Sequence, residues 1–292
     1  MGHQDRRLSS RYGRNESLIM LSASGPIGVF DSGVGGLSVL RHIRAQLPDE
    51  DLIYFADSGH APYGSKSEAF VIDRSFRIAD FLLSQKIKAL VVACNTATAM
   101  AIHLLRDKYP DLPIVGVEPG LKPAAAKTIT GIVGVMATER TLSSNKFHVL
   151  HQTLNDRTGV HFIMQPCPGM ADLIEHAELD SEPIHTLVRR YLTPLLEQKA
   201  DTVVLGCTHY PFVRHMIEKI AAESGCPDLR IIDTGYAVAR QLTHLLDIYA
   251  IRRGKTDCAS TMQAYTSGDP KTIGHLIARL LQTTMPVAYI SL

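Results

Sequence analysis

Eight short apolar segments follow one another along this chain, and the stretches between them have helical spacing. Each segment is rich in β-branched or aliphatic residues, and most end in a polar or glycine-rich turn, as buried parallel strands do. They span residues 27–32, 52–58, 90–94, 114–118, 132–138, 161–167, 203–207 and 231–233. Strands that alternate with helices predict an α/β fold with parallel sheets flanked by helices.

The eight segments form two sets of four, and corresponding segments are offset by a similar number of residues throughout. A steady offset in the same order is what a duplicated unit leaves, although buried strands also resemble one another in composition. We therefore expect two pseudo-symmetric lobes with an active site in the cleft between them. We expect a first lobe of residues 25–119 plus 231–292, whose last part is mostly helical, a second lobe of 120–230, and a flexible extension of 1–24.

Two of the strands end in nearly the same way, LVVACNTAT at residues 90–98 and VVLGCTHYP at 203–211. Each places a cysteine, Cys94 or Cys207, before polar residues that begin a helical segment. Ligands of open α/β sheets bind beyond the carboxyl ends of the strands. If the lobes face each other, the two thiols meet at one cleft, and a helix N-terminus is expected to lower each thiol pKa.

Charge and cysteine content exclude several classes of function. The 292 residues carry a net charge of +1 without a basic block, which argues against nucleic acid and membrane partners. The five cysteines are widely spaced and no pair has C-x-x-C spacing, so neither a zinc site nor a redox dithiol is predicted. No apolar run is long enough for a membrane helix, and we expect a cytoplasmic protein. Cys167, Cys226 and Cys258 are expected to be inert.

Two opposed thiols suit acid–base chemistry better than the alternatives. A disulfide is disfavoured in the cytoplasm, and a metal site would need more ligands than the nearby His209. In acid–base work, one thiolate removes a proton from one face of a carbon and the other thiol protonates the opposite face. This sequence of steps inverts a stereocentre.

Polar residues around the predicted cleft suit a small anionic substrate. Asn95-Thr96 and Thr208-His209 place donors at helix N-termini, where carboxylates bind. In DSGVGGLSV, Asp31 and Ser32 end the first strand, and Gly33, Gly35 and Gly36 are expected to let the backbone approach a ligand. The glycines do not form the dinucleotide fingerprint, because Ser38 stands where the third glycine would be. Tyr63-Gly64 follows a proline in a loop.

Several longer stretches resemble the glutamate racemases of the Asp/Glu racemase superfamily, in order from about residue 25 onwards. They are FDSGVGGLSVL, PYG followed by SKSEAF, VVACNTAT, VGVEPG, GIVGVMATERT and VVLGCTHYP. The resemblance implies cofactor-independent interconversion of L- and D-glutamate, which supplies D-glutamate for peptidoglycan. No metal or other cofactor is expected.

The resemblance also implies roles for individual residues. Cys94 and Cys207 match the two catalytic thiols. Asp31, Glu175 and His209 match residues that assist proton transfer, although an isolated glutamate such as Glu175 is more often a surface residue. The substrate-binding pairs correspond to Asp31-Ser32, Tyr63-Gly64, Asn95-Thr96 and Thr208-His209, with Thr138 as a further contact.

The extension at residues 1–24 resembles that of relatives that need a UDP-muramyl peptide for activity, so such an activator is an expected partner. The oligomeric state stays open between a monomer and a homodimer. Two other interpretations also stay open. One is a related aspartate or hydantoin racemase, although relatives that act on one face lack one of the cysteines. The other is a two-lobed binding protein for a small molecule.

Overall fold

The computed structural model describes residues 22–176, 178–255 and 259–292. Within these ranges, ten strands form two sheets in which all neighbouring strands are parallel. The strands are β1 Ile27–Asp31, β2 Leu52–Ala56, β3 Ala89–Val92, β4 Ile114–Gly116, β5 Ile132–Ala137, β6 His161–Pro166, β7 Thr202–Gly206, β8 Arg230–Ile232, β9 Met262–Thr266 and β10 Val287–Tyr289. The predicted α/β class with parallel sheets is confirmed. Most of the predicted extension and Cys258 lie outside the described residues.

Helices connect the strands and cover the sheets. They are α1 Leu37–Gln46, α2 Glu68–Ser84, α3 Asn95–Lys108, α4 Leu121–Lys127, α5 Glu139–Leu142, α6 Asn145–Thr158, α7 Met170–His176, α8 Glu182–Glu197, α9 Arg214–Glu223, α10 Gly235–Ile248 and α11 Pro270–Leu281. Local sequence sets several helix starts. Ser67 caps α2 and Asp269 caps α11, and each side chain accepts a hydrogen bond from a free backbone N–H of the first turn. None of the helices in the described ranges is long and apolar enough to cross a membrane.

Continuous apolar runs form the strands because both faces of each sheet are covered. Successive side chains of a strand point to opposite faces. Along β1, Val29 packs into one hydrophobic cluster and Phe30 into another, and both side chains are fully buried. Tyr54 and Phe55 of β2 divide between the same two clusters. A strand of this kind therefore shows no alternation of apolar and polar residues.

The two sheets share a core of four strands in the same order. The first sheet has the order β10-β9-β2-β1-β3-β4, and the second has the order β6-β5-β7-β8. The order 2-1-3-4 therefore occurs twice, as expected for the predicted duplication. In each sheet the strand order reverses between the first and third strands, which is where doubly wound sheets bind ligands. Cys94 follows β3 and Cys207 follows β7, so both cysteines lie at such a point.

The sheet pairings correct two details of the predicted lobes. Ile231 and Ile232 of β8 pair with Val203 and Val204 of β7, so the predicted boundary between residues 230 and 231 falls inside a strand of the second lobe. We therefore propose that the second lobe spans 120–232 and the first 25–119 plus 233–292. The last part of the chain is less helical than predicted, because it also contributes β9 and β10 to the first sheet. Its helix α10 packs on α1.

Candidate active site

A cavity of about 300 Å³ lies between the two lobes. The carboxyl ends of β1, β2 and β3 reach it from the first lobe, and those of β5 and β7 reach it from the second. Its lining contains every residue predicted for the site except Asp31 and the three glycines Gly33, Gly35 and Gly36: Ser32, Tyr63, Gly64, Cys94, Asn95, Thr96, Thr138, Glu175, Cys207, Thr208 and His209. The sequence therefore predicted correctly that both cysteines would meet at one cleft.

Cys94 caps the N-terminus of α3, and its thiol is almost fully buried. Its Sγ accepts a hydrogen bond from the backbone N–H of Ala97 at 3.5 Å and lies 3.8 Å from Ser32 Oγ. Burial raises the pKa of the Cys94 thiol far above its ordinary value, and the negative charge of Asp31 raises it further. The predicted lowering of this pKa is therefore wrong, because desolvation of the thiolate outweighs the hydrogen bonds from the helix start and Ser32. The resting form of Cys94 is the thiol.

Asp31 ends β1 and lies behind the cavity wall rather than on it. Its Oδ2 accepts a hydrogen bond from the backbone N–H of Gly36 at 2.7 Å. Its Oδ1 is buried and has no hydrogen-bond partner among the described residues. Burial raises the pKa of Asp31, although the His209 ring and the Gly36 N–H oppose this shift. Asp31 can therefore act on Cys94 through its charge, but it does not line the space open to a substrate.

Cys207 stands at the head of a relay of three side chains. Its Sγ lies 3.6 Å from His209 Nδ1, and the opposite ring nitrogen, Nε2, lies 2.6 Å from Glu175 Oε1. Burial opposes a charged ring, but the hydrogen bonds to Cys207 and Glu175 raise the pKa of His209 well above its ordinary value. Burial likewise disfavours a charged Glu175, yet the hydrogen bond and charge of His209 lower its pKa. Glu175 is thus a buried partner of a histidine cation, not a surface residue.

The glycine-rich loop after β1 has a different role from the one predicted. A Cβ on Gly33 would lie 2.0 Å from Glu175 Oε1, and one on Gly35 would lie 2.4 Å from His209 Nδ1. The backbone N–H of Val34 also donates to Glu175 Oε1 at 3.0 Å. These two glycines therefore make room for the Glu175–His209 pair of the opposite lobe rather than for a ligand.

Tyr63 and Thr138 lie on facing walls of the cavity. The Tyr63 hydroxyl donates to Asp57 Oδ2 at 2.5 Å, so it is already hydrogen-bonded within the first lobe. Thr138 Oγ1 lies 3.1 Å from Thr96 Oγ1 across the two lobes. A Cβ on Gly64 would meet the Thr138 side chain at 3.1 Å, so glycine permits this close approach.

Two residues of the cavity lining each carry a buried polar atom without a hydrogen-bond partner among the described residues. Asn95 Nδ2 and Ser58 Oγ have no hydrogen-bond partner within the described part of the chain. Buried polar groups are normally hydrogen-bonded, so two unpartnered polar atoms on residues that line one cavity favour a polar ligand there. Sequence reasoning missed Ser58, although its place just beyond β2 was the available signal. It also missed Asp172, His176, Gly268, Asp269 and Thr272 on the lining, which belong to no motif.

The described cysteines other than Cys94 and Cys207 do not belong to a metal centre. Cys167 is buried, and burial raises its pKa, whereas Cys226 is partly exposed. In the ranges that the structure describes, no group of three His, Cys, Asp or Glu side chains could hold a metal ion.

The fold and the cavity define a class of enzyme in which two pseudo-symmetric lobes each present one thiol to the same cavity. Known proteins narrow this class. The sequence profile of the Asp/Glu/Hydantoin racemase family matches residues 27–242. The glutamate racemase of Ectopseudomonas mendocina (strain ymp) is 47% identical over 262 residues, which cover 90% of this chain and 97% of that protein.

Two crystal structures are similar along nearly the whole chain. Glutamate racemase from Francisella tularensis subsp. tularensis SCHU S4, in complex with D-glutamate, has a TM-score of 0.80 and 29% identity, covering 92% of this chain and 98% of that chain. Escherichia coli glutamate racemase, in complex with L-glutamate and the activator UDP-MurNAc-ala, has a TM-score of 0.78 and 33% identity. The similarity covers 91% of this chain and 97% of that chain. The chain belongs to the Asp/Glu/Hydantoin racemase family.

Proposed function

We propose that this protein is a glutamate racemase that interconverts L- and D-glutamate without a cofactor and supplies D-glutamate for peptidoglycan synthesis. The observation that carries the proposal is the pair of thiols, Cys94 and Cys207, that reach one cavity from opposite lobes. The identity to curated glutamate racemases over most of the chain supports glutamate as the substrate.

The surroundings of the two thiols suggest which one begins as the base. His209 can carry a positive charge, and its Nδ1 lies 3.6 Å from Cys207 Sγ, so we assign the thiolate that begins the reaction to Cys207. Cys94 keeps its proton because it is buried beside Asp31. In one direction, the Cys207 thiolate takes the α-proton and becomes a thiol. The electron pair left on the carbon then accepts the Cys94 proton on the opposite face, so Cys94 becomes the thiolate.

After one turnover, Cys207 is a thiol and Cys94 is a thiolate, which are the forms that the reverse reaction needs. Asp31 stands beside Cys94, and the Glu175–His209 pair stands beside Cys207, so each thiol has its own titratable neighbours. Residue types that move or share protons are therefore present on both sides of the bound carbon.

Glutamate carries two carboxylates, and the lining offers donors for both. Asn95 and Thr96 lie in the first turn of α3, and Thr208 and His209 directly precede the short helical turn Tyr210–Val213. Such helix starts bind carboxylates through backbone N–H groups. The unpartnered Asn95 Nδ2 and Ser58 Oγ provide two further side-chain donors. We propose that these groups, with Tyr63-Gly64 and Ser32, hold the substrate.

Circular dichroism of L-glutamate tests the proposed reaction directly. Purified protein should bring the signal of either enantiomer to zero, because the racemic mixture has none. Aspartate is the matched comparison, since it differs by one methylene and its second carboxylate would be misplaced in the same site. If aspartate is racemised as fast as glutamate, or if glutamate is unchanged, the assignment to glutamate is wrong.

We also propose a nucleotide-linked muramyl peptide as an activator. A second cavity, of about 400 Å³, lies where the lobes join and is lined by Arg106, Lys122, Lys146 and Arg240, with Glu118 as its acidic residue. This excess of positive charge suits a diphosphate. The activator in the similar E. coli complex, UDP-MurNAc-ala, supports this class of ligand.

The activator proposal is tested by titrating UDP-MurNAc-ala into the racemisation assay. Arg240→Ala should reduce the activation while leaving activity without the activator unchanged. The exposed Lys219, which does not line this cavity, provides the control Lys219→Ala. Deletion of residues 1–24 asks whether the extension takes part. Full activation of the Arg240 variant would remove this cavity from the proposal.

The cellular compartment and the oligomeric state are the last two features that we propose. We propose that the protein acts in the cytoplasm, where thiols stay reduced, since Cys94 and Cys207 are both free cysteines. A homodimer is the second, and light scattering of the purified protein would decide between it and a monomer.

A further inference from the structure

One buried carboxylate beside the cavity takes no part in the proton transfers described above. Asp57 follows β2 and is fully buried. Its Oδ1 accepts hydrogen bonds from Arg74 Nη2 at 2.7 Å and from Ser267 Oγ at 2.6 Å, and it lies 3.0 Å from His60 Nδ1. Its Oδ2 accepts from Arg74 Nε at 2.9 Å and from the Tyr63 hydroxyl at 2.5 Å. Five nitrogen and oxygen atoms thus surround one carboxylate.

The partners of Asp57 belong to the segments that form one wall of the cavity. His60 and Tyr63 lie in the loop that follows β2, and this loop lines the cavity with Ser58, Ala61, Pro62, Tyr63 and Gly64. Ser267 follows β9, directly before the lining residues Gly268 and Asp269. The Ser267 hydroxyl also accepts a hydrogen bond from the backbone N–H of Gly59 at 3.1 Å. We call residues 58–65 together with 267–269 the β2–β9 wall.

Arg74 anchors this arrangement to the rest of the first lobe. It lies on α2 and is itself almost fully buried. Its Nη1 donates to the backbone oxygen of Leu292 at 2.8 Å, in addition to its two bonds to Asp57. The carboxylate therefore ties the β2–β9 wall to a helix and to the segment after β10.

We propose that Asp57 is a positioning residue whose carboxylate holds the β2–β9 wall in place against the substrate. The Tyr63 hydroxyl donates its hydrogen bond to Asp57. This bond holds the Tyr63 ring and the following Gly64 in place, and it does not require any polar group of the substrate. The unpartnered Ser58 Oγ directly follows Asp57 in the chain, so its location depends on the same anchor. The inference rests on the proposed racemisation for its kinetic readout only.

Asparagine at this position is a stringent test. Both carboxylate oxygens accept from Arg74, so either orientation of an asparagine amide sets an N–H group against a guanidinium N–H. The wall is expected to bind the substrate equally well in the ground state and in the transition state. Losing such binding raises KM and leaves kcat nearly unchanged. We expect Asp57→Asn to raise the KM for both glutamate enantiomers roughly tenfold or more, with a much smaller change in kcat.

Glu50→Gln is the matched control. Glu50 is also a fully buried carboxylate of the first lobe, and it pairs with buried Lys88 at 2.5 Å, but it does not line or brace the cavity. Both variants should lower the melting temperature, whereas only Asp57→Asn should raise KM. Hydrogen exchange should likewise become faster within residues 58–66 in Asp57→Asn and stay at the wild-type rate there in Glu50→Gln.

A milder variant keeps the inference testable if Asp57→Asn does not fold. Ser267→Ala removes one hydrogen bond to Asp57 and one from Gly59, and it should raise KM by a few-fold. Its control is Ser75→Ala, because the hydroxyl of this buried serine of α2 donates to the backbone oxygen of Val71 and contacts no residue of the β2–β9 wall among those that the structure describes. A wild-type KM and unchanged exchange in folded Asp57→Asn, or in Ser267→Ala if the former is unfolded, would overturn the inference. If the wild-type protein does not racemise glutamate, the proposed function is wrong, and exchange within 58–66 alone decides the role of Asp57.

Discussion

Glutamine in place of Glu175 would remove one charge from the relay behind Cys207 and leave its shape unchanged. Glu175 Oε1 receives both contacts that matter, from His209 Nε2 at 2.6 Å and from the Val34 N–H at 3.0 Å. A glutamine oxygen can accept the same two bonds. The side chains of His209 and Glu175 are only 6% and 10% exposed, so water screens their interaction weakly. The difference between the two proteins is therefore mainly electrostatic.

The size of the effect follows from the change in hydrogen-bond type. A hydrogen bond to a charged group contributes about 1.5–3 kcal/mol, and a neutral one about 0.5–1.5 kcal/mol. The loss of about 1–1.5 kcal/mol corresponds to a rate reduction of roughly 5- to 13-fold if it is felt fully in the transition state. The pKa of His209 should fall in the variant, because the hydrogen bond and charge of Glu175 help to raise it. Less of the histidine cation then faces the Cys207 thiolate.

Circular dichroism with both enantiomers gives the test an internal check. The enantiomers have equal free energies in water, so kcat/KM must fall by the same factor in both directions. The primary deuterium isotope effect should nevertheless increase mainly in the direction in which Cys207 removes the α-proton. Glu218→Gln is a suitable control, because Glu218 is a half-exposed carboxylate paired with Arg214. Wild-type kcat/KM and unchanged isotope effects in Glu175→Gln would refute a role for the relay in proton transfer.

Three further predictions follow from the same geometry. Replacing Cys94 or Cys207 by serine should nearly abolish racemisation in both directions while D-glutamate still binds, as measured by calorimetry; substantial turnover by either variant would rule out a reaction that needs both thiols. In heavy water, mass spectrometry should find deuterium in the early product and protium in the remaining substrate, whereas an early product that retains protium would indicate a single base. The stability contributed by Glu175 should be complete above its ordinary pKa of 4.5 and be lost as the pH falls through its lowered folded value. The stability contributed by His209 should be complete below its ordinary pKa of 6.5 and be lost as the pH rises through its raised folded value. Because acid neutralises Glu175, the melting temperatures of wild type and Glu175→Gln should converge as the pH falls and not diverge.

The strands could be located from the sequence because their signal is local. The predicted segments at 132–138 and 203–207, for example, lie within one or two residues of β5 Ile132–Ala137 and β7 Thr202–Gly206. A strand covered on both faces needs a continuous apolar run, and a polar residue at its end marks where the cover stops. The repeated order of such runs also predicted that Cys94 and Cys207 would meet, since both follow the third strand of their sheets.

Sequence patterns could not predict the burial of each thiol or the charged side chains beside it. A helix start after Cys94 is visible in the sequence and predicts a lowered pKa, but the depth of burial that raises it depends on how two distant sheets pack. The bond from Val34 to Glu175 joins residues 141 positions apart, and the contact of Glu175 with His209 spans 34 positions. The sequence by itself determined the parallel strands, the repeat and the two cysteines, because these follow from local periodicity and from the carboxyl ends of strands. Only the tertiary structure decided that Cys94 is a buried thiol, that Cys207 faces a histidine cation and that Asp57 braces the cavity wall, because desolvation and long-range contacts exist only once the lobes have packed.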